Sequence, residues 1–379
     1  MKNKIGIIFP YAESYDSHFG GAIARWVFKV NREMAMSASD ISVYSASRKN
    51  NYGNVTSSAY GFFCDLIKCA ERKYASTKLL NTLFYQLKRF TCRDSFWLLS
   101  IYNKIKKNDL IIIHNRPKWV LLLRQLGYKG QVILHMHNSH IINSKRNEIK
   151  KVSEYVHAVV FCSKFLLDEA VCFESNLKSK SYVVYNGIDD CYEPTSDKPL
   201  LRKKNILFAG RLIDDKGVVE LVEGFDLFSK YNDSYTLDII GGVGSGESNQ
   251  ITPYLDKLIK TIETSKSCSR IRFLGYLDHD ELMVKMRSSE ILAVPSKWKE
   301  PFGMVALEGF YNGCKVLATE NGGMKEILKD QGFYCSCDPK SICDAMMNAV
   351  ESKTYYPKID SSFYWNNISS KYASVIDKL

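Results

Sequence analysis

Glu290-Ile291-Leu292-Ala293-Val294-Pro295-Ser296 is an apolar run of strand length closed by a proline, and it leads directly to Lys299-Glu300-Pro301-Phe302-Gly303-Met304-Val305-Ala306-Leu307-Glu308-Gly309. Such a run has no polar face to turn to water, so it belongs to a strand covered on both sides. The stretch from Gly303 to Tyr311 reads as the helix that follows after a loop. A buried strand feeding a helix is half of a βαβ unit, which confines the chain to parallel sheets with helices over them. Pro301 and Gly303 let the backbone come close to a ligand. The N–H groups from Phe302 to Val305, at the positive end of the helix dipole, then face an anion or a sugar hydroxyl. Glu300 falls in the loop and Glu308 about two turns along the helix. Carboxylates placed in this way do not flank one bond, as the acid and base of a glycosidase must, but they suit two acceptors for hydroxyl groups.

The alternation of buried run and helix occurs throughout. In the first half, strands are expected near Ile5 to Phe9, Ile41 to Ser45, Leu110 to His114, Val132 to Met136, Ala158 to Cys162 and Tyr182 to Tyr185, with a helix through Trp26 to Glu33. The pattern restarts at Asn205-Ile206-Leu207-Phe208-Ala209-Gly210, then at Leu237 to Ile240, Ile271 to Leu277 and Lys315 to Ala318. Gly322-Gly323-Met324-Lys325-Glu326 reads as a turn into a helix, and the spacing from Phe363 to Leu379 suits another. At 379 residues, 45% of them hydrophobic, the chain is long enough for two cores. The expected division is residues 1–190, a polar linker at 191–203 containing two prolines, 204–360, and a final segment at 361–379.

Eleven cysteines, an odd number with no Cys-x2-Cys pair, argue against a disulfide framework and a zinc ribbon, and Cys335 and Cys337 are too close for either. A reducing cytoplasm fits this usage. The N-terminal apolar run is short and ends in Pro10-Tyr11-Ala12-Glu13, which reads as a first strand and not a signal peptide. No apolar run approaches the length of a membrane span. The formal charge is +11, and between Tyr44 and Gly130 basic residues outnumber acidic ones roughly fourfold. Nucleic acid is the first partner such a field suggests, but no nucleic-acid motif accompanies it; a phosphate-rich membrane or lipopolysaccharide surface is steered by the same field. From Lys78 to Lys107, Phe84, Tyr85, Phe90, Phe96, Trp97 and Tyr102 are interleaved with Lys88, Arg89, Arg93, Lys104, Lys106 and Lys107. On one helical surface this pattern suits an anionic membrane interface or an amphiphilic acceptor; the alternative is aromatics in a core and lysines in water.

Gly20 and Gly21, between the first strand and first helix, offer backbone N–H groups to a phosphate with no Cβ in the way, although a tight turn explains them equally well. His135, His137 and His140 lie within six residues. On a strand His135 and His137 share a face, but no acidic or cysteine partner lies nearby in sequence, so no metal is expected there. Ser163 is placed to cap a helix. Arg211 and Lys216 both fall at the carboxyl edge of the strand ending at Gly210, where open parallel sheets bind ligands. Gly241 opens a glycine-rich turn consistent with close approach to a nucleotide.

Two glutamates seven residues apart around Pro301-Phe302-Gly303-Met304, after a strand ending Val294-Pro295-Ser296, resemble the signature of family 4 retaining glycosyltransferases. Val184-Tyr185-Asn186-Gly187-Ile188-Asp189 is similar to the turn before that family's interdomain linker, and Gly210-Arg211 with Lys216-Gly217 to its phosphate site. The resemblance implies a GT-B fold: two Rossmann-like α/β domains facing across a cleft, with the last helix crossing back to the first. It implies that Glu300, Phe302, Gly303, Met304 and Val305 hold the donor sugar and Glu308 the ribose. Gly20 and Gly21 would close on the diphosphate, His137 would face the sugar with His135 and His140 as packing or acceptor groups, and Asn186, Gly241 and Tyr276 would complete the donor site, Tyr276 by the uracil. Arg211 and Lys216 would take the place of a metal at the diphosphate, with no cofactor beyond the UDP-sugar co-substrate.

The overall likeness to bacterial lipopolysaccharide core transferases implies a hexose or N-acetylhexosamine passed to the outer core, by a cytoplasmic enzyme peripheral on the inner face of the inner membrane. Capsule or O-antigen assembly on a lipid-linked acceptor is the neighbouring expectation. A noncatalytic nucleotide-sugar or anionic-surface binder is the expectation from another class, and an epimerase or phosphorylase remains open because fold does not fix reaction.

Overall fold

A computed structural model describes residues 4–10, 22–35, 40–45, 55–56, 93–189, 202–242, 252–352, 357 and 360–379. The chain divides into two compact units, one made of Met1–Gly187 with Trp365–Leu379 and the other of Ile188–Tyr364. The expected linker at 191–203 lies almost wholly outside the described residues, as do Gly20 and Gly21.

The first unit is built on a parallel sheet of seven strands: β1 (Lys4–Ile8), β2 (Asp40–Tyr44), β3 (Val55–Thr56), β4 (Leu110–His114), β5 (Gln131–Met136), β6 (Ala158–Phe161) and β7 (Ser181–Val183). Their order is β3-β2-β1-β4-β5-β6-β7, so the sheet winds one way from β1 and then the other, with its switch point between β1 and β4. Every residue of β4 is buried, as a strand under helices on both faces must be. The two-residue β3 falls where the sequence carries no strand-length apolar run.

The helix Ala22–Ala35 buries Ile23, Trp26, Val27 and Val30, an i, i+3, i+4, i+7 stripe. This stripe joins a core with Ile5, Ile7, Ile112, Ile133 and Val160 from the sheet and with Trp365, Ile368, Tyr372 and Val375 from the helix Trp365–Ile376. The last helix therefore returns to the first unit. Gly187 makes that packing possible, because a Cβ on it would sit 2.4 Å from the Trp365 ring.

In the helix Arg93–Ile105, Trp97, Leu98, Ile101 and Ile105 are fully buried, and the Trp97 indole donates to the Phe9 carbonyl at 3.3 Å. Lys104, Lys106 and Lys107 are exposed. In this described part of the basic and aromatic stretch the indole is core and the lysines face water, so Trp97 is withdrawn from any interfacial surface. Residues 78–92 lie outside the described residues.

The second unit holds β8 (Lys203–Ala209), β9 (Thr236–Ile240), β10 (Ile271–Gly275), β11 (Ser289–Val294), β12 (Lys315–Thr319) and β13 (Phe333–Cys335). They form a parallel sheet in the order β10-β9-β8-β11-β12-β13, with the switch point between β8 and β11. Ile206, Phe208, Leu237, Ile239, Ile291, Ala293 and Leu317 alternate onto one face. They are covered there by Val218, Leu221, Val222 and Phe225 of the helix Val218–Phe228 and by Ile342 and Met346 of the helix Pro339–Glu351. The apolar run from Ile291 to Val294 is thus part of a central strand, and the helix after it spans Met304–Tyr311.

Candidate functional site

At the carboxyl end of β8 the backbone passes through Gly210 and Arg211 into the short 3-10 turn Asp214–Lys216. Gly217 follows at φ +66°, a left-handed conformation that turns the chain at once into the helix Val218–Phe228. The turn holds the Lys216 ammonium against the Glu300 carboxylate, which also accepts from the Ser296 hydroxyl at 2.7 Å. Both partners are largely buried, with side-chain exposures of 17% and 10%. Glu300 is fixed through its backbone as well: it bridges Gly322, and its carbonyl accepts from Gly323 N–H at 2.8 Å. A cation and a carboxylate 84 positions apart in sequence therefore meet at the switch point, because β8 and β11 are neighbours.

Lys297 stabilises the turn from the other side. Its ammonium lies 2.8 Å from both Asp214 and Glu220, and its backbone N–H donates to the Asp215 carbonyl at 2.9 Å. Burial opposes its charge, but the two carboxylates outweigh burial and hold it well above the ordinary lysine range. Sequence reasoning missed Lys297 because its partners are distant in sequence and no motif ties it to them. Arg211 is exposed beside this group and forms no ion pair among the described residues.

Glycine marks three adjacent strand ends in this sheet. Gly210 N–H donates to the Ile240 carbonyl, and Gly241 N–H donates to the Gly275 carbonyl at 2.8 Å. A Cβ on Gly241 would stand 1.8 Å from the Gly210 carbonyl oxygen, so the backbones here are closer than side chains allow. Tyr276 follows Gly275 with 48% of its surface exposed.

Gly303, at φ +100°, starts the helix Met304–Tyr311, and no side chain caps that helix. Met304 and Val305 are half-buried, and Phe302 is buried against Phe363. Glu308 is buried on the same helix, with His279 Nδ1 4.0 Å from its carboxylate. Nothing in the sequence pointed to His279, which sits in the first turn of another helix.

His137 and Asn186 belong to the first unit, at the carboxyl edge of its sheet. Asn115, left-handed at φ 54°, accepts from His137 N–H at 2.7 Å through its side chain, while its own N–H donates to the His135 carbonyl at 2.9 Å. His135 and His137 stack at 4.1 Å between ring centroids, on one face as their spacing requires, whereas His140 lies apart in an exposed turn. The third imidazole beside them is His114 from β4, whose Nδ1 is 3.0 Å from His137 Nε2. Burial, with His137 close by, pushes His114 and His135 well below the ordinary histidine value. Burial also holds His137 down to about 3, although a hydrogen bond with Asn186 works the other way. Ser163 caps the helix Lys164–Phe173, its hydroxyl accepting from Leu166 N–H at 3.0 Å.

Two doubly wound parallel sheets, the second with paired cation and carboxylate at its switch point, are the architecture of the GT-B fold. Residues 195–361 match the family described as Glycosyl transferases group 1, a span somewhat under half of the chain. Over 372 residues the chain is 21% identical to the lipopolysaccharide 1,2-N-acetylglucosaminetransferase of Salmonella typhimurium, covering 93% of this chain and 92% of that one. Sucrose-phosphate synthase from Thermosynechococcus elongatus superimposes with a TM-score of 0.74 at 17% identity, over 100% of this chain and 99% of its own. HepE of Anabaena, in complex with UDP-glucose, gives 0.69 at 16% identity over the whole of both chains. These likenesses establish the fold as GT-B. The chain resembles lipopolysaccharide core transferases within it.

Proposed function

We propose that the chain is a retaining glycosyltransferase that moves a hexose or N-acetylhexosamine from a UDP-sugar to a lipopolysaccharide outer-core acceptor at the cytoplasmic face of the inner membrane. The observation that carries the transferase reading is the buried Lys216–Glu300 pair at the β8/β11 switch point, with exposed Arg211 beside it. The sheet geometry favours a ligand there, and fixed cations favour a diphosphate. UDP as the carrier is supported by the nucleotide sugar bound in HepE, and the acceptor by the name of the Salmonella relative.

In this reading the diphosphate lies along Arg211 and Lys216, which neutralise it as the glycosidic oxygen takes the bonding pair from the anomeric carbon. Glu300, its other contacts already fixed by Ser296 and Lys216, accepts from a sugar hydroxyl, while the uncapped N–H groups at Gly303 to Val305 donate to the sugar. Glu308 accepts from the ribose, and the close backbones at Gly241 and Tyr276 admit the base. The acceptor oxygen attacks the anomeric carbon from the face that the diphosphate leaves. Its proton passes to the departing β-phosphate oxygen, so configuration is retained and UDP leaves protonated at that oxygen. The cations do the work a divalent ion does elsewhere, and the transfer itself needs no metal. Losing one of them removes about 3 kcal/mol of transition-state stabilisation, on the order of a hundredfold in rate.

The test is nucleotide release from UDP-, GDP- and ADP-sugars in EDTA, with and without truncated lipopolysaccharides, for the parent chain and for Lys216→Ala and Glu300→Ala. Acceptor-dependent UDP release that falls about a hundredfold in each variant is expected. Release that is unchanged in both variants overturns the site, and release that needs a lipid-linked acceptor redirects the enzyme to capsule or O-antigen assembly.

A further inference from the structure

The three buried histidines of the first unit are more than packing. β4 and β5 are paired in register with His114 opposite His135, and His137, one residue past the end of β5, stacks on His135. Two imidazoles thus come from the end of one strand and a third from its neighbour, and one nitrogen from each lies within 4.8 Å of the others. The sequence alone concealed this, since His114 is 21 residues before His135 and at the end of a different strand. Around the cluster stand Trp26, whose ring meets His135 edge-on at 4.4 Å, and Tyr372, stacked on it at 5.5 Å.

Hydrogen bonding leaves this cluster incomplete. His135 is fully buried, and neither of its ring nitrogens has a hydrogen-bond partner; the same is true of His114 Nε2. A neutral imidazole always carries one lone pair and one N–H, so whichever tautomer His135 adopts, it presents a buried lone pair to nothing. Each such group costs about 1–3 kcal/mol unless an ion or water satisfies it.

We propose that His114, His135 and His137 form a binding site for a divalent transition metal of the zinc type. Three imidazoles, with no carboxylate or thiolate grouped with them among the described residues, select zinc, cobalt, nickel or copper over magnesium or calcium. Ligand nitrogens about 2.0–2.1 Å from a tetrahedral zinc lie about 3.3 Å apart, so rotations that move ring nitrogens by roughly 1 Å convert the present spacing into a three-ligand site. The backbone is already set for it, because Asn115 ties the ends of both strands to one another. This site lies outside the diphosphate group of the second unit and stands independently of the transferase reading.

The experiment takes the full chain, freed of metal by chelator and dialysed, and titrates it with Co2+ while the visible absorption is recorded, followed by displacement with Zn2+. Stoichiometric binding with the intense bands of a four-coordinate ion is expected, with X-ray absorption showing imidazole scattering from about three nitrogens near 2.0 Å. His114→Phe and His135→Phe should each lower affinity about a hundredfold or more, and His140→Ala should not change it. Thiolate-to-cobalt charge transfer in the near ultraviolet, or sulfur in the X-ray absorption, assigns the metal to cysteines and overturns the proposal. So does the absence of stoichiometric binding by the parent chain, a result that requires no variant to fold.

Discussion

Replacing Gly217 by alanine tests whether the turn that carries Lys216 is as tightly built as the geometry states. Two costs add at this position. The left-handed conformation, φ +66°, opposes any Cβ by about 1–2 kcal/mol. The new methyl group would also stand 2.2 Å from the Pro295 carbonyl oxygen and 2.5 Å from Cys337 Sγ. Pro295 follows the central strand β11, so the nearer obstacle is backbone and cannot rotate aside; relieving it takes a shift of roughly 1 Å and adds about 1–3 kcal/mol. Gly275 is the internal control: it has φ +70° in the same unit, and a Cβ there meets nothing within 4 Å. The expected losses are therefore about 1–2 kcal/mol for Gly275→Ala and about 2–5 kcal/mol for Gly217→Ala, the steric excess being about 1–3 kcal/mol. Urea-dependent hydrogen exchange read on peptides from β8 and β11 measures the second unit separately from the first. Equal destabilisation by the two substitutions would falsify the steric half of the argument.

Lys297→Met should destabilise the Asp214–Lys216 turn by about 1–2 kcal/mol in urea unfolding, a figure discounted for the lysine's partial exposure. Because its two carboxylates raise the folded pKa, that stability is fully present below the ordinary lysine value and disappears as pH rises through the folded one, a loss that Lys297→Met should abolish. Lys216→Met with Glu300→Gln should be less destabilising than the sum of the single changes, since either change alone leaves a buried charge without its countercharge and the double change leaves none; additive losses in a double-mutant cycle count against the pair. In chelator, the neutral buried histidines make the first unit acid-labile. Their folded pKa values lie below the unfolded one, so the unfolded chain binds more protons below pH 6.5, and each group removes about 1.4 kcal/mol per pH unit there. Exchange in β4 and β5 that is flat from neutral pH to pH 5, once corrected for intrinsic rates, contradicts this.

Much of the fold was legible because buried parallel strands are continuous apolar runs: Leu110–His114, Gln131–Met136 and Lys315–Thr319 stand where their sequences predict, within a residue. Periodicity also placed the helix Met304–Tyr311 and the glycine before it. What stayed hidden depends on neighbours in space. Lys297 reads as one more surface lysine until Asp214 and Glu220 are folded against it, and His114 reads as the end of a strand until β5 pairs beside it. Trp97 left two readings open, because an aromatic among lysines has the same composition in a core helix as at an interface, and its burial decides for the core.

The return of the helix Trp365–Ile376 to the first unit governs the order of assembly during synthesis. Trp26, Ile7 and Ile133 emerge from the ribosome long before Trp365, Ile368 and Tyr372, which belong to the same core. The second unit is contiguous from Ile188 to Tyr364 and can close as soon as it is made, while the first must wait with part of its apolar face uncovered. A nonsense codon a few residues before Trp365 is therefore no minor trimming. It would leave the first-made half of the protein permanently unfinished, exposed to aggregation and to proteases, beside a second half that had folded normally.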